Sequence, residues 1–181
     1  MKKDTYISEG LHNKAFETLK KEFGYTNVMR APKLLKIVVS VGVGSIKDKK
    51  KLELIPDRLA KITGQKPAER TAKKSIASFK VRQGDTGGYM VTLRGERMFA
   101  FLDKLVNVAL PRTRDFKGIA TTTIDEMGNM SIGIREHSIF PETADEELAH
   151  VFGLAITLVS TAKSVEEARA FYTLLCIPFK K

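Results

Sequence analysis

The sequence predicts an α+β fold: a mostly antiparallel sheet covered by helices on one side, with a long basic loop at residues 71–88. Three observations carry this. Helically spaced apolar segments and β-branched or alternating segments are mixed along the chain, without the strict alternation that builds a parallel sheet. Hydrophobic residues make up 43% and charged residues 29% of 181, enough for one core and too polar for a membrane-embedded chain. No internal repeat or low-complexity linker divides the chain, so a single domain over 1–181 is expected.

From the N-terminus, Leu11, Ala15, Phe16, Leu19 and Phe23 recur at helical spacing, and Gly24 follows as a stop. "KLLKIVVSVGVG" is β-branched and almost continuously apolar, which predicts a strand buried on both faces and closed by Gly42 and Gly44. Leu52, Ile55, Leu59 and Ile62 mark a second helix, with Asp48 as its cap and Gly64 as its end. Pro56 predicts a distorted first turn, the regular helix restarting there.

"GYMVTL" is a strand and "RGERMFAFLDKLVNVAL" a helix that Pro111 terminates, followed by the basic loop "PRTRDFKG". In "NMSIGIR", Met130, Ile132 and Ile134 alternate with Ser131, Gly133 and Arg135, as in a half-buried strand. "GLAITLVSTA" is another strand. Ser164 then opens the last helix with Glu167 three residues on, a capping box, and Val165, Ala168, Tyr172 and Leu175 form its apolar stripe.

Several chemistries find no support. "VGVGSIK" follows a strand but has Lys47 where the dinucleotide fingerprint needs its third glycine, so it reads as a turn and not a phosphate cradle. His12, His137 and His150 have no metal-ligand spacing, and His137 reads as a surface or satisfied structural residue. The single cysteine, Cys176, sits in "LLCIPF" and reads as a small core residue. No nucleophile elbow, Cys-His pair or carboxylate pair stands out, so neither an enzyme nor a cofactor is expected. The first 23 residues lack the apolar stretch of a secretory signal, and no run approaches a bilayer span; a cytoplasmic protein without a membrane partner is expected.

The positive charge is organised. Thirty-one Lys and Arg against twenty-one Asp and Glu give +10, which favours a polyanionic partner. Lys66, Arg70, Lys73, Lys74, Lys80 and Arg82 cluster with one acid, Glu69, and with Phe79 as a stacking surface. Arg94 and Arg97 stand at a strand-to-helix junction, and Arg112, Arg114 and Lys117 form a second cluster suited to phosphate contacts. Six phosphate contacts would lower affinity on the order of a thousandfold across a fourfold salt increase. Glu142, Asp145, Glu146 and Glu147 run the other way, as a helix start or a docking face for a basic protein.

"ITGQKP", "KSIASFKVRQG", "VTLRGERM", "LPRTRDFKG" and "IREHSIFPE", in this order, resemble the bacterial large-subunit ribosomal protein family L-five, the 5S rRNA binders, over essentially the whole chain. The resemblance implies an antiparallel sheet with helices on one side. It also implies a place in the ribosomal central protuberance, with 5S rRNA, 23S rRNA and other large-subunit proteins as partners. The family's 5S contacts fall on Gln65, Lys66, Thr92 and Arg94, and on Ser40, where members carry Asn. Its P-site tRNA loop falls on Lys73, Lys74, Ser75, Ser78, Phe79, Lys80, Arg82 and Gln83, where the glycines and missing periodicity predict mobility. Its bridge to a small-subunit protein falls on Glu142 to Glu147, and Arg70 replaces a small hydroxylic residue.

Overall fold

The computed structural model describes residues 6–44, 46, 49–79, 81–114, 116–143 and 151–180. In chain order the elements are α1 (Ile7–Asn13), α2 (Ala15–Phe23), β1 (Leu34–Gly42), α3 (Lys49–Thr63), β2 (Ala68–Thr71), β3 (Thr86–Leu93), α4 (Glu96–Lys104), β4 (Met130–Ile134), β5 (Leu154–Ser160) and α5 (Val165–Leu174). The strands form one antiparallel sheet in the order β2-β3-β1-β5-β4. Two compact units divide the chain. The first comprises Met1–Ile37, Arg94–Ile132 and Thr157–Lys181, the second Val38–Leu93 and Gly133–Ile156.

Strand β1 corrects one expectation. Ile37, Val39 and Val41 are at most 2% exposed, whereas Leu35 is 48% exposed and Val38 and Ser40 are only half-buried. An antiparallel strand can keep one face wet, so a continuous apolar run does not guarantee two dry faces. Strand β4 keeps the predicted alternation, with Met130, Ile132 and Ile134 buried and Ser131 and Gly133 exposed.

In the first unit the N-terminal helix breaks in two at Lys14, and Gly24 ends α2 at φ 64°, donating its N–H to the Lys20 carbonyl. The Asp103 carboxylate accepts from the N–H groups of Ile7 (2.9 Å) and Ser8 (3.0 Å), holding the start of α1. His12 Nε2 accepts from the Leu34 N–H at 3.1 Å, and its ring stands edge-on to Phe99 and Phe171. Burial lowers the His12 pKa, with Lys33 acting in the same direction and Asn13 and Glu9 against it. At α5, Ser164 Oγ accepts from the Glu167 N–H as predicted. The Glu167 carboxylate, however, accepts from the Lys163 N–H (2.7 Å) and from the Tyr25 hydroxyl, one residue outside the usual capping box. Of the expected stripe, Ala168, Tyr172 and Leu175 are buried but Val165, the first residue of α5, is 41% exposed. After α4 the chain makes one π-turn over Leu105–Ala109, the Leu110 N–H reaching back to the Leu105 carbonyl at 2.9 Å.

In the second unit α3 runs unbroken from Lys49 through Pro56, contrary to the expected restart. Proline forfeits one helical hydrogen bond, but Ile55 and Leu59 on either side are fully buried and hold the helix. Gly64 ends it at φ 67°. Asp48, the expected cap, lies outside the described residues.

The largest difference is at the basic loop, where a hairpin replaces much of the irregular stretch. Strand β2 pairs antiparallel with β3, Glu69 opposite Tyr89 and Arg70 opposite Gly88. Beyond it Ala72 donates to Asp85 O (2.8 Å), Gly84 to Ala72 O (3.0 Å), and Ile76 and Val81 exchange two bonds (2.9 and 3.2 Å). Gly87 and Gly88, at the end of the expected loop, both belong to β3. At Gly88 a β-carbon would meet the Val41 carbonyl oxygen at 2.5 Å, so glycine there admits close strand approach.

Two outcomes follow. In hydrogen exchange the amides of Ala72, Ile76, Val81 and Gly84 are expected to exchange about tenfold or more below unstructured-chain rates; unstructured rates at all four would contradict the ladder. For His12, the lowered folded pKa means that below 6.5 the unfolded chain takes up a proton that the native state refuses. Its contribution to stability is therefore complete above pH 6.5 and is lost progressively as pH falls below it. Wild-type melting temperature should drop more between pH 7 and about pH 5 than that of His12→Gln, measured by thermal denaturation; equal slopes would exclude the effect.

Candidate RNA interface

Gln65 follows the left-handed Gly64, so its side chain leaves α3 and turns back on β3. Its Nε2 donates to the Thr92 carbonyl at 3.4 Å, while Thr63 Oγ1 bridges the Leu59 and Gln65 carbonyls (2.7 and 3.1 Å). The structure thus brings Gln65 and Thr92 together. Thr92 is half-buried between fully buried Val91 and Leu93, which puts its side chain on the face away from the core. Ser40 stands in the same relation to Val39 and Val41 on the neighbouring strand. Lys66 is exposed beside Gln65.

Along the hairpin Lys73, Lys74, Ser75, Ser78, Phe79, Arg82 and Gln83 are all exposed, Phe79 by 75%. Two of them also shape it: Ser75 Oγ accepts from the Gln83 N–H (2.9 Å), and the Arg82 N–H donates to the Asp85 carboxylate (2.7 Å). Sequence reasoning missed Ile76, which is 46% exposed near Phe79 and closes the bridge to Val81. An apolar residue on each side of a turn is a weak hairpin signal, and the intervening polar residues hide it. Arg70 is exposed on β2, and its neighbour Glu69 accepts a hydrogen bond from the Thr86 hydroxyl. Lys80 lies outside the described residues.

Glu142 is exposed in a short 3₁₀ turn, next to the buried Thr143, whose hydroxyl donates to the His137 carbonyl (3.0 Å). His137 is a buried structural residue, stacked on Phe152 at 4.1 Å with Nδ1 accepting the Phe152 N–H. Lys51 Nζ donates to the Val151 carbonyl at 2.7 Å, tying α3 to the chain beyond. Asp145, Glu146, Glu147 and His150 fall outside the described residues.

In the first unit Arg94 is exposed immediately after β3, and Gly95 at φ 58° turns the chain into α4, where Arg97 is exposed in the first turn. Arg112, Arg114 and Lys117 are all exposed on the loop after the π-turn. That loop is pinned where it starts: the N–H groups of Arg112 and Thr113 donate to the Ala109 and Leu110 carbonyls (3.2 and 3.1 Å). Among the described residues no ion pair engages Lys73, Lys74, Arg82, Arg94, Arg112, Arg114 or Lys117. Cations left unneutralised in this way can contact phosphates without first breaking an intramolecular pair.

Residues 86–179 match the family model for the C-terminus of the ribosomal L5 proteins, and residues 27–82 match the model for Ribosomal protein L5. The chain is 46% identical to the large ribosomal subunit protein uL5 of Ureaplasma urealyticum over 177 residues, covering 97% of this chain and 96% of that one. It is 49% identical to the uL5 protein of Flavobacterium johnsoniae (97% and 96% covered) and 49% identical to that of Geobacter sulfurreducens (96% and 98%). With both family segments matched in order and the relatives aligned nearly end to end, the chain belongs to the uL5 family of large-subunit ribosomal proteins.

Proposed function

We propose that this chain, a structural constituent of the large ribosomal subunit and not an enzyme, binds 5S rRNA in the central protuberance and presents its hairpin to P-site tRNA. Membership in the uL5 family supports the ribosomal role. One observation carries the 5S reading: Gln65 is held against the Thr92 carbonyl, while Ser40 and Thr92 stand on the face of their strands turned from the core. An immobilised amide and short hydroxyls suit hydrogen bonding to base edges and 2′-hydroxyls, which distinguish RNA from DNA. Lys66 and Arg94 supply charge for the flanking phosphates.

The hairpin suits a structured RNA for a different reason. Its exposed Lys73, Lys74 and Arg82 give charge, and Phe79 gives a stacking surface that reads no particular base. The 23S rRNA takes the cations of the first unit, Arg97, Arg112, Arg114 and Lys117. The acidic stretch from Glu142 to Glu147 serves as the bridge to a small-subunit protein, and neighbouring large-subunit proteins complete the assembly.

At fixed salt, Gln65→Ala and Arg94→Ala should each weaken binding to isolated 5S rRNA by about tenfold, the size of one lost hydrogen bond to RNA. Unchanged affinity in both, read by filter binding, would mean that 5S rRNA is held elsewhere. Deleting residues 73–82 should leave 5S affinity and melting temperature essentially unchanged while abolishing crosslinking to P-site tRNA in reconstituted ribosomes. Retention of the crosslink would refute the tRNA assignment.

A further inference from the structure

We infer that the C-terminal segment Pro178–Lys180 completes the phosphate-binding surface of the 111–118 loop, with Lys180 as a further phosphate-contacting cation. The inference rests on the RNA reading above.

The loop's far end is closed by residues Pro178–Lys180. Ile119 and Phe179 form a parallel bridge in which the Ile119 N–H donates to the Pro178 carbonyl (2.8 Å) and the Lys180 N–H to the Ile119 carbonyl (2.9 Å). Gly118 makes the contact closer still. It sits at φ 92°, and a β-carbon on it would lie 2.7 Å from Lys180 N and 2.8 Å from the Phe179 carbonyl carbon. Only glycine permits both that conformation and that approach. The Lys180 backbone therefore rests directly on Gly118, the residue after Lys117, and Lys180 is itself exposed.

The terminal segment is firmly held from its other side. Ile177 is 3% exposed and its N–H donates to the Tyr172 carbonyl at the end of α5. Hydrogen bonds thus tie the loop both to the π-turn before it and to the segment after α5. A cationic loop ordered before RNA arrives avoids part of the entropy cost of ordering it on the RNA. Among the described residues no ion pair engages Lys180, as is true of Arg112, Arg114 and Lys117. Lys117 and Lys180 thus flank one hydrogen-bonded junction between loop and terminal segment, and a pair of cations there suits a phosphate of the RNA backbone.

The test uses the full-length protein with 5S rRNA and 23S rRNA as separate probes, titrated from about 50 to 200 mM salt. In one arm at least, Lys180→Ala should lower the slope of log affinity against log salt by about one. Affinity there should fall about five- to eightfold near 0.1 M salt, the factor one released counterion contributes. Lys180→Arg should restore both. Gly118→Ala, which keeps every charge, should weaken the same arm while leaving the other intact; loss in both arms with a lowered melting temperature would mark it as unfolded, and the lysine variants then decide alone. Unchanged slope and affinity for Lys180→Ala in both arms would overturn the inference and leave the RNA reading standing. Wild-type protein that binds neither RNA would overturn both.

Discussion

The sheet has to stay dry on one side and accessible on the other, and much of the chemistry hangs on that division. In the second unit Val39, Val41, Val91 and Leu93 fill the dry side with side chains at most 2% exposed. Each burial of this kind contributes about 1.5–3 kcal/mol, so a slip of one residue in either strand is prohibitive. The same alternation that commits these residues inward turns Ser40 and Thr92 the other way. The positions proposed for RNA contact are therefore set by the positions surrendered to the core.

A second constraint acts in the first unit, where a strongly basic chain buries a carboxylate. Glu167 is 7% exposed and is matched by three groups: its own N–H on Ser164, and the Lys163 N–H and Tyr25 hydroxyl on its oxygens. A buried acid is tolerable only when hydrogen-bonded in this way. Burial and the neighbouring Glu167 push the Tyr25 hydroxyl pKa up, so it stays a donor across the physiological range. Tyr172 is likewise raised, to about 12, mainly by burial, with its hydroxyl within 2.9 Å of the Gly128 carbonyl. Neutral phenols and one satisfied acid leave the formal positive charge to the surface.

How far the sequence was legible depended on the range of the interactions. The helices, β1, β4 and β5 follow periodicities written within a few residues, and the Ser164 cap is local. What escaped was decided at a distance. The hairpin depends on Ile76 meeting Val81 and on Ala72 meeting Asp85 and Gly84, pairings that no single window displays. Glycines 87 and 88 look like breakers because the Val41 carbonyl that demands the second of them lies on another strand. Pro56 is tolerated because of burial on α3 that local propensity cannot count. At the candidate site, the sequence motifs bring the basic residues into view, but Ser75 and Arg82 also support the hairpin through contacts invisible in the chain, and Lys180 meets its loop through the Ile119–Phe179 bridge.

The apolar context of Cys176 predicts a small core residue, but the structure places it outside: it is exposed, at φ 60°, with the Cys176 N–H on the Thr173 carbonyl. Its neighbours Leu175 and Ile177 take the buried positions instead, at 2% and 3% exposure. A backbone that turns left-handed between two anchored residues presents the intervening side chain to solvent. As the only thiol in the sequence, it offers a native attachment point for a maleimide dye or spin label. Such a reporter would sit four residues before Lys180, and its environment would register any movement of the Pro178–Lys180 segment without a second cysteine having to be removed.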